Sequence, residues 1–386
     1  MRTFFFTCLI AIIIRITISE NTYRAAVVEY ATKTDGLTNS TSMLQNVQEY
    51  IKYIKEASDD GADIIVFPEY ALTGEEITAH NINQLGIEVP DPKLKISLCD
   101  SNNSNLSKVL VDLSCAATTY RIYVVANIVE KRNASYYNTN IVFNRNGVLI
   151  TRFSKINLYM EASVLPGDEV VTFETDFGVT FGMFICSDIL FKKPALDVVS
   201  NLSVTDIIFS TAWATELPLI DSLSLVQGYA KSMGVNVLVS QLNNPAKSNS
   251  GSGIFSANGK ILSIYKSTER SSKMLITSVP KIRRPNTINH PDQVVVDSTD
   301  FAKYQSSLSN FITLQQDLAN YTFKAINLSD TTVTEKICVG AKKQFCCSID
   351  LTLRVHNSPN YCYKYIVFLY IFIVKLTNLF TQIGCI

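Results

Sequence analysis

Between Tyr23 and about Val279 the chain alternates two hydrophobic rhythms. Short β-branched runs, apolar at nearly every position, give way to stretches in which apolar residues return every three or four positions. Arg24 to Ala31 reads as a first strand. Met43, Val47, Ile51 and Ile54 then share one helical face, with Asn39 or Ser40 as cap and Gly61 as stop. Asp63-Ile64-Ile65-Val66-Phe67 shows no polar alternation, as expected of a strand buried on both faces. A helix over Leu106 to Tyr120 and a buried strand over Ile122 to Ile128 repeat the pair.

Thr139 to Phe143 and Val148 to Phe153 flank Asn146-Gly147, a pair suited to a tight primed hairpin turn, and Asn258-Gly259 turns a second hairpin. Strands over Val179 to Ile185, Asp206 to Ser210 and Asn236 to Gln241 are separated by a short helix around Pro194 to Val199 and a longer one over Leu223 to Met233. This order predicts an α/β protein with helices covering both faces of its sheet structure. Pro280, Arg283-Arg284-Pro285 and His290-Pro291 break the rhythm and set a boundary near residues 280–300.

The ends follow other rules. Met1-Arg2-Thr3, an apolar run from Phe4 to Ile14 and the polar residues beyond it have the layout of a secretory signal peptide over residues 1–19. Seven N-x-Ser/Thr sequons, at Asn39, Asn102, Asn105, Asn133, Asn201, Asn320 and Asn327, agree with export as a glycoprotein. The segment Tyr365 to Val374 is apolar but ends at Lys375, well short of the roughly 20 residues a membrane span needs. Three readings of this tail, residues 363–386, stay open: a lipid-anchor signal that would attach the protein to the membrane, a buried strand, or a span continued past the lysine.

Cys8 would leave with the signal peptide. Cys99 and Cys115 bracket an Asn/Ser-rich loop and are placed to close it in an oxidising compartment. Cys338, Cys346, Cys347 and Cys362 crowd one region, enough for two bridges of unassigned connectivity. Cys186 stands alone in a hydrophobic strand and is the odd thiol if Cys385 is trimmed with the tail.

Composition narrows the function. Hydrophobic residues make up 47% and charged residues 18%, which excludes a disordered, collagen-like or coiled-coil chain. Thirty-four basic residues cancel thirty-four acidic ones, so there is no electrostatic footprint for nucleic acid, and a small or neutral substrate is expected. His80, His290 and His356 lie far apart without ligand spacing, and no metal site is expected.

Three positions share one local grammar, a strongly apolar strand that ends in a reactive side chain. Glu69 follows Val66-Phe67-Pro68, Lys155 follows Arg152-Phe153-Ser154, and Cys186 follows Gly182-Met183-Phe184-Ile185. The ends of buried strands are where α/β folds place their sites. Singly, such residues are a cap, a solvated lysine and a core thiol. Jointly they offer a nucleophile, a carboxylate base in place of the missing histidine, and a cation for a developing oxyanion.

With these residues in place, the chain resembles the nitrilase superfamily of carbon–nitrogen hydrolases, and within it the vanin and biotinidase branch. The likeness is carried in order by Asp63 to Glu69, Val125-Ala126-Asn127-Ile128, Tyr137-Asn138-Thr139-Asn140, Lys155 to Tyr159 and Cys186-Ser187-Asp188-Ile189-Leu190-Phe191. Ser210 to Pro218 and Gly251-Ser252-Gly253-Ile254 continue it, and the Cys346-Cys347 pair is similar to that branch's second domain. The resemblance implies an α-β-β-α sandwich over residues 20–285, a shortened, cysteine-rich vanin-type C-terminal region over 286–362, and no cofactor. It further implies Glu69 as proton acceptor, Lys155 as proton donor and oxyanion stabiliser, and Cys186 as nucleophile. The implied reaction is hydrolysis of a linear amide outside the cell or on its surface, with pantetheine giving pantothenate and cysteamine.

Two departures accompany it: Ser187 stands where the branch often has an aromatic residue, and the stretch beyond residue 300 is shorter than that branch's second domain. Trp213 reads as core packing or as part of the substrate pocket. The competing readings are a biotinidase-like hydrolase of biotin amides and a non-catalytic secreted binding protein.

Overall fold

The computed structural model describes residues 21–33, 40–101, 105–202, 204–217 and 221–282, with strand segments at 314–315, 332–339 and 345–352. The expected signal peptide, the tail, Cys362, Cys385, and the sequons at Asn39, Asn102, Asn320 and Asn327 lie outside these residues.

The larger of two compact units contains two sheets. In the first, β1 (Thr22–Glu29), β2 (Ile64–Val66) and β4 (Tyr123–Arg132) run parallel. Antiparallel strands flank them: β13 (Lys273–Pro280) on one side, and β5 (Ser135–Phe143) followed by β6 (Leu149–Ser154) on the other. A short β3 (Ile87–Glu88) adds to β4. The second sheet has the same logic. Parallel strands β8 (Thr180–Ile185), β9 (Asp206–Thr211) and β10 (Asn236–Gln241) are flanked by β7 (Thr172–Glu174) on one side and by β11 (Ser252–Phe255) and β12 (Ile261–Tyr265) on the other.

Side-chain alternation sorts these strands between two cores. Along β1, Ala25 and Val27 pack with Phe181, Met183 and Ile208 of the second sheet, whereas Ala26 and Val28 pack with Met43, Val47 and Ile54 of α1 (Ser40–Asp59). Leu110 and Leu113 of α2 (Lys108–Tyr120) join α1 on that outer face. Val198 and Val199 of α3 (Asp197–Leu202) and Val226 and Ala230 of α4 (Ser222–Met233) cover the second sheet. The result is the expected α-β-β-α sandwich. Each sheet therefore carries helices on one face only; its other face is buried by the opposite sheet rather than by a second helical layer.

Two expectations need correcting in detail. The turn at Asn146-Gly147 is not a primed one. Only Gly147 has a positive φ (69°), and its N–H bonds the Asn144 carbonyl at 2.9 Å. The Asn144 side chain accepts from the backbone N–H groups of Asn146 and Val148, which stabilises a four-residue turn and leaves a register shift at Val142/Phe143. The short helix expected around Pro194 is a wound turn at Lys192–Leu196, and regular α-helix begins only at Asp197. A hairpin through Asn133-Ala134 joins β4 to β5, with Arg132 opposite Ser135. Asn133, exposed at φ 56°, forms its tip.

Cys99 and Cys115 form a disulfide, as expected. In the smaller unit, β14 (Thr332–Val339) and β15 (Phe345–Thr352) pair antiparallel, with Cys338 opposite Cys346 in register. No helix among the described residues is long and apolar enough to cross a membrane.

Candidate active site

Three chain segments leave the same end of the sandwich and meet there. Glu69 lies just beyond β2, Lys155 directly after β6 and Cys186 directly after β8, so two groups come from the first sheet and one from the second. Each is buried: Glu69 is 1%, Lys155 2% and Cys186 8% exposed. A buried carboxylate and ammonium are tolerated only when paired, and here they are. Lys155 Nζ donates to Glu69 Oε1 at 2.8 Å.

The pair extends to a residue that carries no sequence signal. Glu161 Oε2 lies 2.5 Å from Lys155 Nζ, so one ammonium bridges two carboxylates. The Asn138 amide spans the same two acids, donating to Glu69 Oε1 at 2.8 Å and Glu161 Oε1 at 2.7 Å. Tyr70 O–H also donates to Glu161. The remaining oxygen of Glu69 accepts from the backbone N–H of Ala212 at 2.7 Å, a contact from the second sheet.

Behind Asn138 runs a chain of buried amides. Asn127 holds the Tyr70 backbone N–H at 2.9 Å and donates to Asn138 at 2.7 Å and Asn140 at 3.1 Å. Asn140 donates to Ser210, whose hydroxyl donates to the Phe67 carbonyl. Asn138 and Asn140 share one face of β5. The polar run Asn138-Thr139-Asn140 in a buried strand was the available signal for them. Glu161 had none, because a lone carboxylate in a loop looks like any solvated acid.

The electrostatics follow from this packing. Burial raises the Glu69 carboxyl above its ordinary value; the Lys155 charge opposes that, and the Glu161 charge adds to it. For Glu161 burial acts upward as well, but Lys155 and the donated hydrogen bonds win and hold it low. Burial disfavours the Lys155 ammonium, yet the charges of Glu69, Cys186 and Glu161 outweigh it and keep the group protonated. Burial pushes the Cys186 thiol up to about 12, with the Glu69 charge adding to the rise and Lys155 opposing it. At rest Cys186 is thus a protonated thiol near a carboxylate of raised basicity.

Three non-glycine residues at this site adopt left-handed backbone: Tyr70 (φ 54°), Met160 (φ 55°) and Cys186 (φ 47°). Each is, or adjoins, one of the charged or reactive groups, which is where proteins hold backbone strain. Ser187 and Trp213, the two other residues singled out in the sequence, are held as follows. Ser187 Oγ donates to the Asn157 carbonyl, and Trp213 is 5% exposed in the larger hydrophobic core, its backbone pinned by Gln241. Among the described residues no cluster of acids, histidines and cysteines has metal-binding geometry.

Comparisons with known proteins agree on the family. The carbon-nitrogen hydrolase pattern matches residues 24–283. Vanin-like protein 1 of Drosophila melanogaster is 31% identical over 371 residues, which cover 89% of this chain and 63% of that protein. Pantetheinase of Canis lupus familiaris is 32% identical over 362 residues, covering 86% and 67% respectively. Biotinidase of Mus musculus is 36% identical over 228 residues, covering 55% and 44%. The chain thus spans under two thirds of the length of the vanin-like relatives, 63% and 65%. Among solved structures, Nit3 of Saccharomyces cerevisiae, a member of branch 10 of the nitrilase superfamily, superimposes with a TM-score of 0.55 at 19% identity, over 67% of this chain and 90% of that one. An amidase from Nesterenkonia sp. gives 0.52 at 15% identity, over 67% and 90%.

Proposed function

Since this chain belongs to the carbon–nitrogen hydrolase family, we propose that it is an extracellular amidohydrolase that cleaves a linear amide through a Cys186 thioester, with pantetheine as the favoured substrate. The observation that carries this reading is the arrangement Glu69–Lys155–Glu161 beside a buried free thiol, at strand ends drawn from two sheets.

In the proposed reaction Cys186 sulfur attacks the amide carbon while Glu69 takes the thiol proton. The carbonyl electrons move to oxygen, and the Lys155 ammonium stabilises that charge. Glu69 returns the proton to the nitrogen, the C–N bond breaks and the amine leaves, with the acyl group on sulfur. Glu69 then deprotonates water for attack on the thioester, and the acid departs with restoration of the thiol. Glu161 and Asn138 hold Lys155 and Glu69 in register throughout. The raised basicity of Glu69 suits both proton transfers, and the other ionisable groups stay fixed by their partners.

Substrate choice rests on the relatives. Pantetheinases from several mammals match most of the chain, which favours pantetheine and the products pantothenate and cysteamine. The biotinidase match is higher in identity over its shorter span, which keeps biotin amides as the second reading. Export is supported by the signal-like start, the sequons and the Cys99–Cys115 disulfide, since disulfides persist in oxidising compartments. Of the sequons, Asn105 and Asn133 are exposed, and the Asn133 tip is well placed to carry a glycan.

Incubation of the full chain with pantetheine and with biocytin, measuring released amine, decides between the two substrates. Release from neither, together with an acyl-free Cys186 by mass spectrometry, overturns the hydrolase reading and leaves a non-catalytic binding protein.

A further inference from the structure

Asp188 is fully buried, and none of its hydrogen bonds comes from a charged side chain. Its Oδ1 accepts from the backbone N–H of Asn157 at 2.7 Å, from the Asn157 side-chain amide at 2.9 Å and from the backbone N–H of Ile156 at 3.2 Å. Its Oδ2 accepts from the backbone N–H of Ile185 at 3.2 Å. Ile156 and Asn157 directly follow Lys155, and Ile185 directly precedes Cys186. One carboxylate therefore ties together the two loops that carry the lysine and the nucleophile, which belong to different sheets. Ser187 reinforces the tie by donating to the Asn157 carbonyl, and the Asn157 amide continues to the Lys193 carbonyl at 2.8 Å.

Apolar packing between the sheets brings the two loops together, and Asp188 adds a polar tie between them. The strands they follow, β6 and β8, lie in separate sheets, and Cys186 sits in a left-handed conformation that a non-glycine residue leaves readily unless held. A carboxylate that accepts backbone N–H groups from both sides holds them more firmly than a neutral acceptor would, because such bonds are charge-assisted.

We propose that Asp188 is a positioning residue: its carboxylate sets the distance and orientation of the Cys186 sulfur relative to the Lys155 ammonium. It touches neither substrate nor reacting atoms. The proposal rests on the hydrolase reading above and adds to it a direct tie between the lysine loop and the cysteine loop.

The test uses Asp188→Asn in the full chain. Asparagine keeps an acceptor for Asn157 but presents an N–H₂ group toward the Ile185 N–H, where two donors repel. The expected result is a loss of kcat on the order of 10–100-fold with KM within about twofold, since misplacement of a reacting group costs rate rather than binding. The rate of Cys186 alkylation by iodoacetamide at a fixed pH should shift as well, because the sulfur no longer faces the Lys155 and Glu69 charges as before. Should Asp188→Asn fail to fold, Asn157→Ala removes the side-chain bonds to Asp188 and Lys193 while leaving the carboxylate in place, and should give the same split at several-fold size. Wild-type kcat and wild-type alkylation in a folded variant overturn the proposal. A wild-type protein that hydrolyses no amide overturns the hydrolase reading instead, whereas the alkylation comparison still judges the tie between the loops.

Discussion

Glu29 and Glu69 are two buried glutamates at the ends of neighbouring parallel strands, and they show what separates scaffold from site. Glu29 closes β1 and is fully buried; Glu69 follows β2 and is 1% exposed. Burial raises the carboxyl of each above its ordinary value. Glu29 is met by neutral donors: the Asn243 amide at 2.8 Å, the Ser250 hydroxyl and the Gly251 N–H at 2.9 Å. Those bonds anchor the loop from Asn243 to Gly251 onto the first sheet. Glu69 shares a lysine with a second carboxylate, and its charge helps to hold the Cys186 thiol protonated. Burial and hydrogen bonding alone make an anchor. A shared cation and a nearby thiol give the same side chain the surroundings that the proposed proton transfers need.

That comparison can be broken at several points. Cys186→Ala should abolish amide hydrolysis while leaving the melting temperature near the wild-type value, because a small buried side chain replaces another; amine release and thermal unfolding report the two quantities. Lys155→Met should lower kcat by on the order of 10²–10³. It should also cost about 3–5 kcal/mol in stability, because Glu69 and Glu161 are left as buried acids without a cation. Denaturant unfolding measures that cost, and a variant as stable as wild type would contradict the shared-lysine arrangement.

Asn138→Leu removes the donor common to both acids. A drop in stability of about 1–3 kcal/mol is expected, with a smaller loss of activity than for Lys155→Met. Glu29→Gln should do the reverse, leaving turnover within a few-fold of wild type and changing chiefly the pH dependence of stability. The native state, with a raised Glu29, binds a proton that the unfolded chain releases. Its contribution is therefore present at low pH and is lost as pH rises through the folded-state value. Glutamine removes that slope, so unfolding curves across pH should flatten in the variant. The smallest effect concerns the resting thiol. With Cys186 pushed up to about 12, iodoacetamide labelling should keep accelerating with pH above neutrality rather than level off near pH 7.

Much of this architecture is written locally. The apolar run Ile64-Ile65-Val66 without alternation marks a strand buried on both faces, and the Met43–Ile54 spacing marks α1; observed boundaries lie within a few residues of the pattern. Glu69, Lys155 and Cys186 are legible as candidates because each comes just after a buried strand end. The turn at Asn146-Gly147 was misjudged because the deciding contact comes from Asn144, two residues earlier. The amides of Asn127, Asn138 and Asn140 lie in stretches that carry the family resemblance, but nothing local shows that they meet one another or Glu69.

The sequence by itself determined the elements, their order, the reactive residues at three strand ends and, through the resemblance those residues carry, the family. Hydrophobic periodicity does this because it records which faces leave water, and that is a property of each segment alone. It does not record which buried face meets which. Helices covering a sheet and a second sheet covering it leave the same apolar pattern in a strand, so the sheet-on-sheet contact appears only in the folded chain. The same folding recruits Glu161 to Lys155, brings the Ala212 N–H to Glu69 and places the Asp188 carboxylate between the loops of Lys155 and Cys186. These polar groups converge through space from segments far apart in the chain, and only tertiary packing brings them together.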